Sequence, residues 1–81
     1  MLGGMDPCRG FGENVRRLRR GRAMTQETLA HLTGIHPTYL SGIERGARNV
    51  ALRNIVALAG ALGVPVGDLF EGVEPPASAE D

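Results

Sequence analysis

Glycines at positions 21, 34, 46 and 63 divide the stretch from Phe11 to Phe70 into short segments. Each follows a run of apolar residues at helical spacing. Glycine enters the left-handed conformation that ends a helix more easily than any other residue. This punctuation constrains the chain more than any other feature, because it calls for several short helices joined by tight turns. No window alternates apolar and polar residues as a half-buried strand would, and no segment repeats. With 81 residues the chain makes one small domain, and its 42% apolar residues are enough for a folded core. The expected class is all-α, with five short helices around one core.

The first helix is expected from about Phe11 to Arg22, with Phe11, Val15 and Leu18 forming one apolar stripe and Gly21 near its end. Thr25 is a good N-cap for the second, with Gln26 and Glu27 in its first turn and Leu29, Ala30 and Leu32 as its apolar face. Gly34 ends it. His36 can cap the third helix, and Pro37 suits its first position. Leu40 and Ile43 point inward, Ile35 anchors the turn, and Gly46 ends the helix. After the loop Ala47-Arg48-Asn49 comes a fourth helix over about 51–62, with Leu52, Ile55, Val56, Leu58, Ala59 and Leu62 on a broad inner face. A short fifth helix covers about 65–70. Residues 1–10 read as a flexible arm, 11–71 as the folded domain, and 72–81 as a flexible acidic tail.

Several classes of function find no support in the residues. His31 and His36 lie five apart and have no further ligand at metal spacing. Cys8 is the only cysteine, so no internal disulfide forms, which fits a reducing, cytoplasmic setting. No apolar run is long enough to span a membrane, and the start lacks the marks of a signal peptide. There is no phosphate-cradling glycine loop and no nucleophile–base set. An enzyme, a metal, a cofactor and a small-molecule ligand are therefore not expected.

The segment from Thr25 to Gly46 holds two short helices joined by a turn containing Gly34, which is the helix-turn-helix arrangement. Packing Leu29, Ile35, Leu40 and Ile43 inward, with the small Ala30 at the helix crossing, leaves the polar side of the second of these helices facing outward. There it is free to enter a major groove. This stretch resembles the Cro/repressor-type helix-turn-helix family, also called the xenobiotic-response-element type, which has a lambda-repressor-like fold. Leu18-Arg19, Thr25-Gln26-Glu27, Leu29-Ala30, Ile43-Glu44-Arg45-Gly46 and Ala59 with Leu62-Gly63-Val64 carry the resemblance. Within that family, residues 36–50 are similar to the controller proteins of restriction–modification systems.

The resemblance implies a dimeric, sequence-specific regulator of transcription that binds double-stranded DNA. It places DNA-contacting residues at Gln26, His36, Pro37, Thr38, Tyr39, Ser41, Gly42, Arg45, Arg48 and Asn49. Thr38 and Ser41 can bond base edges, and Pro37 or the Thr38 methyl can touch a thymine methyl. Related controllers often carry a long basic side chain where Pro37 stands. Gln26 can hold a phosphate or be an ordinary first-turn polar residue. Tyr39 can reach a phosphate or fill the core edge. Arg48 can enter a groove or stay solvated, and Asn49 can contact the DNA backbone or cap the fourth helix. The resemblance gives Arg19 and Glu44 a structural role as an internal ion pair. A dimer face is expected from Leu62, Val64, Val66, Leu69 and Phe70. The resemblance also leaves open an antitoxin or interaction module whose main partner is another protein. Relatives often place glycine where Ala23 stands, and Gly21 offers a turn two residues earlier.

A formal net charge of zero argues at first against a nucleic-acid partner. The charge is unevenly spread. Residues 1–53 hold all nine arginines against Asp6, Glu13, Glu27 and Glu44, a net +5. Residues 54–81 hold no base and five acids, a net −5. The basic part contains the helix-turn-helix, and the acidic end is expected to face away from phosphates.

Overall fold

The computed structural model describes residues 6–75 and contains, among them, four α-helices, one 3-10 helix and no strand. The α-helices are α1 (Pro7–Gly21), α2 (Gln26–Thr33), α3 (Pro37–Glu44) and α4 (Leu52–Leu62). The expected fifth helix is the 3-10 helix Val66–Phe70. Residues 1–5 of the expected arm and 76–81 of the expected tail lie outside the described residues.

Local chemistry sets most of the helix ends. Asp6 accepts the Cys8 N–H at 3.1 Å, and Pro7 occupies the first helical position. The first helix therefore begins four residues before Phe11, and residues 7–10 belong to it rather than to an arm. Thr25 caps α2 by accepting the Thr28 N–H at 3.0 Å. His36 caps α3, its Nδ1 accepting the Thr38 N–H at 3.1 Å. Gly34, Gly46 and Gly63 take the left-handed conformation after α2, α3 and α4. Gly21 does not. It is the last residue of α1, and Ala23 makes the turn at φ 56°. A side chain there costs about 1–2 kcal/mol relative to glycine, from the Cβ–carbonyl contact.

The core consists of Phe11 and Val15 from α1, Leu29 and Ala30 from α2, Ile35, Leu40 and Ile43 around α3, Leu58, Ala59 and Leu62 from α4, and Leu69. Three residues expected inside are exposed instead: Leu32, Leu52 and Val56. They lie on helical spacing, but a domain this small has more apolar positions than its interior can hold.

Two glycines set how closely α3 lies on α1. A Cβ at Gly12 would overlap the Ile43 carbonyl oxygen. At Gly46, φ is 80° and a Cβ would stand 2.7 Å from Arg9 Cα. Both ends of this contact are backbone, so neither can yield by a rotamer change. Asn14 fastens the segment around Leu69 and Glu71 onto the same helix. Its amide nitrogen donates to the carbonyls of Leu69 and Glu71, each at 2.9 Å, and its oxygen accepts from Arg17 at 3.2 Å. Phe11 and Phe70 add a tilted ring pair at 5.2 Å.

Candidate nucleic-acid interface

Behind α3 lies a buried polar frame. Arg19 of α1 meets Glu44 of α3 in a two-pronged pair, Nε to Oε2 at 2.7 Å and Nη2 to Oε1 at 3.0 Å. Both side chains are buried. The third prong of Arg19 donates to the Met24 carbonyl at 2.7 Å, in the turn between α1 and α2. Gln26 completes the frame, its Nε2 donating to Glu44 Oε1 at 2.9 Å. One carboxylate thus ties α1, the start of α2 and the end of α3 together. No buried side-chain nitrogen or oxygen among the described residues lacks a partner. This is the condition under which a buried ion pair is tolerable.

The frame changes the reading of Gln26. Its amide is half-buried and engaged by Glu44 rather than projecting freely toward a phosphate. His36 is likewise engaged, since its Nδ1 lone pair belongs to the α3 cap.

The other candidates lie on α3 and in the loop after it. Pro37 and Thr38 are exposed at its N-terminus. Ser41 is half-buried, and its Oγ accepts from Arg45 Nη1 at 2.7 Å. In the loop beyond, Arg48 and Asn49 are exposed, and the Arg48 guanidinium carbon lies 5.1 Å from the centre of the half-buried Tyr39 ring. Gly42, expected on the exposed face, is buried. The side chain of Arg48 covers it, so it offers no surface for a base.

The exposed arginines of α1 and its C-cap divide by partner. Arg17 pairs with Glu71 at 3.4 Å on the exposed side, and Arg9 pairs with Glu13 at 3.5 Å. Arg16, Arg20 and Arg22 are exposed and form no ion pair among the described residues. The residues expected at a dimer face divide as well. Leu62 and Leu69 are 2% and 0% exposed within one chain, so they are core and cannot be the contact surface. Val64 is half-buried, while Val66 and Phe70 are each 39% exposed.

Gly12, Asn14 and the Tyr39–Arg48 stack escaped the sequence reading. Asn14 left one trace, since it stands three residues after Phe11 and four before Leu18, on the apolar stripe. A polar residue there must find buried partners. Gly12, a glycine inside a helical pattern, hints at a close crossing but does not say with what. Among the described residues no helix is long and apolar enough to cross a membrane.

Two short helices joined through Gly34, backed by a buried ion pair, define a helix-turn-helix domain. The helix-turn-helix family model matches residues 15–69, and the chain belongs to that family, whose similar members are regulators of transcription rather than enzymes. It is 48% identical over 62 residues to the control protein C.BamHI of Bacillus amyloliquefaciens, covering 75% of this chain and 76% of that one. It is 42% identical over 66 residues to the control protein C.SmaI of Serratia marcescens, covering 82% of this chain and 79% of that one. Among solved structures, the restriction-modification controller protein C.AhdI from Aeromonas hydrophila superposes with a TM-score of 0.76 at 46% identity. That match covers 78% of this chain and 96% of that one.

Proposed function

We propose that the chain is a homodimeric regulator that reads a near-palindromic operator with one α3 in the major groove of each half-site, in the role of a restriction–modification controller. The observation that carries this reading is the outer side of α3 and its loop. Thr38, Ser41 and Arg45 follow one another at helical spacing along a helix whose back is held by Arg19, Glu44 and Gln26, and Arg48 reaches back from the loop over Gly42 to Tyr39. Such a helix is presented rigidly, which base readout requires. Thr38 and Ser41 face base edges, and Pro37 offers an apolar contact to a thymine methyl. Arg45, Arg48 and Asn49 reach the groove edge and the phosphates. Backbone N–H groups in the first turn of α2 hold a phosphate, with Gln26 anchored beside them on Glu44.

Two-fold pairing sets two such helices roughly 34 Å apart, one turn of DNA. Val64, Val66 and Phe70 remain for the dimer contact, joined by Leu52 and Val56 of the neighbouring α4. The described acids Asp68, Glu71 and Glu74 then lie away from the DNA, and the arginine-bearing part meets phosphate.

Analytical ultracentrifugation with a duplex carrying the chain's own upstream region tests this. Two chains per site are expected, with an affinity that falls steeply as salt rises. An 8.6 kDa monomer at tens of micromolar, or binding indifferent to salt, contradicts the reading.

A further inference from the structure

Gly42 is an interior residue of an eight-residue helix, where glycine is worse than alanine by roughly 1 kcal/mol. Its surroundings explain the choice. The three atoms nearest to a Cβ built there all belong to Arg48: Cγ and Nε at 3.1 Å and Cδ at 3.7 Å. The stem of Arg48 runs across the bare backbone of Gly42, and its guanidinium ends over Tyr39, 5.1 Å from the ring centre. The same glycine fixes the loop from which Arg48 comes, because its carbonyl accepts the Ala47 N–H at 2.9 Å. Gly42 and Tyr39 stand three apart on α3, so they lie on one face, one as the floor of the arginine's path and the other as its end stop. An exposed arginine otherwise samples many rotamers, and fixing it costs binding free energy at the moment of contact.

We propose that Gly42 and Tyr39 are positioning residues that hold Arg48 in one extended geometry before DNA arrives. Arg48 thereby contributes base discrimination rather than a diffuse charge. The inference rests on the DNA-reading role given above. It assigns Gly42 a task through Arg48 instead of a contact of its own. A guanidinium fixed in a plane is suited to the two acceptors of a guanine edge, where a good two-pronged contact is worth roughly five- to hundredfold in discrimination.

The test compares Gly42→Ala, Tyr39→Leu, Tyr39→Phe and Arg48→Ala in the full chain. Tyr39 is the only tyrosine, and the chain has no tryptophan, so its ring is assigned without ambiguity by NMR. In the free protein the ring current should shift the Arg48 side-chain protons upfield of those of Arg16 and Arg20. Gly42→Ala and Tyr39→Leu should abolish that shift, and Tyr39→Phe should keep it. On the chain's own upstream duplex, Gly42→Ala should lose most of the guanine discrimination that Arg48→Ala loses, with the salt slope unchanged and thermal stability equal or higher. Tyr39→Phe should retain the discrimination. An unshifted Arg48 in the unsubstituted protein, or full discrimination in Gly42→Ala, overturns the positioning role while leaving the regulator intact. No preference for any duplex in the unsubstituted protein overturns both.

Discussion

The two ends of the domain handle their polar and apolar groups in opposite ways. Around α1 and α3, charged and amide groups point inward as fully bonded partners, and bare backbones touch at Gly12 and Gly46. Around α4 and the 3-10 helix, apolar side chains point outward, with Leu52 73% exposed. The contrast separates two tasks. The first region fixes one helix against the domain so tightly that its outer side cannot drift. The second leaves surface whose natural partner is more apolar surface. The charge is also uneven along the chain, +5 over residues 1–53 and −5 over residues 54–81, with Arg53 of α4 on the basic side.

Breaking the frame should have the largest effect. Glu44→Ala leaves the Arg19 guanidinium buried without its carboxylate, and a loss of about 3–5 kcal/mol is expected in denaturant unfolding. A loss below about 1 kcal/mol would mean that the frame is not a structural element. Asn14→Leu comes next, because it strands the Leu69 and Glu71 carbonyls. It should cost about 1–3 kcal/mol, with faster amide exchange concentrated at 66–71. Ala23→Gly should act in the opposite direction. Relief of the left-handed alanine outweighs the added freedom of the unfolded chain, and a gain of about 0.5–1 kcal/mol is expected by thermal melting. Leu52→Glu and Val56→Glu sharpen the other side of the comparison. Each should change monomer unfolding by less than about 0.5 kcal/mol, since both side chains are solvated, yet weaken self-association in sedimentation. Unchanged association would remove α4 from the dimer face.

Much of this organisation is written locally in the chain. Thr25, His36, Pro37 and the glycines at 34, 46 and 63 mark helix ends by their own conformational chemistry, so those boundaries are legible without a fold. The start of α1 is equally local, in Asp6-Pro7, but lies upstream of the apolar repeat that begins at Phe11. What the sequence hides is tertiary. Periodicity puts Leu52, Val56 and Leu62 on one list, and only packing separates the exposed pair from the buried residue. Gln26 and Gly42 look like surface residues of a DNA-facing segment until Glu44 and Arg48, 18 and six positions away, are seen to engage them.

The central claim is that the outer side of α3, with Arg48 beside it, selects sequence while the other neighbouring groups supply general affinity. Competition anisotropy at one fixed salt concentration tests it most directly, with a labelled duplex of the chain's own upstream region against a scrambled duplex of equal length. The unsubstituted chain should prefer its own site by roughly a thousandfold or more. Thr38→Ala should lower that ratio, whereas Asn49→Ala should weaken binding to both duplexes alike. Equal affinity of the unsubstituted chain for the two duplexes, or identical behaviour of the two variants, would contradict the account.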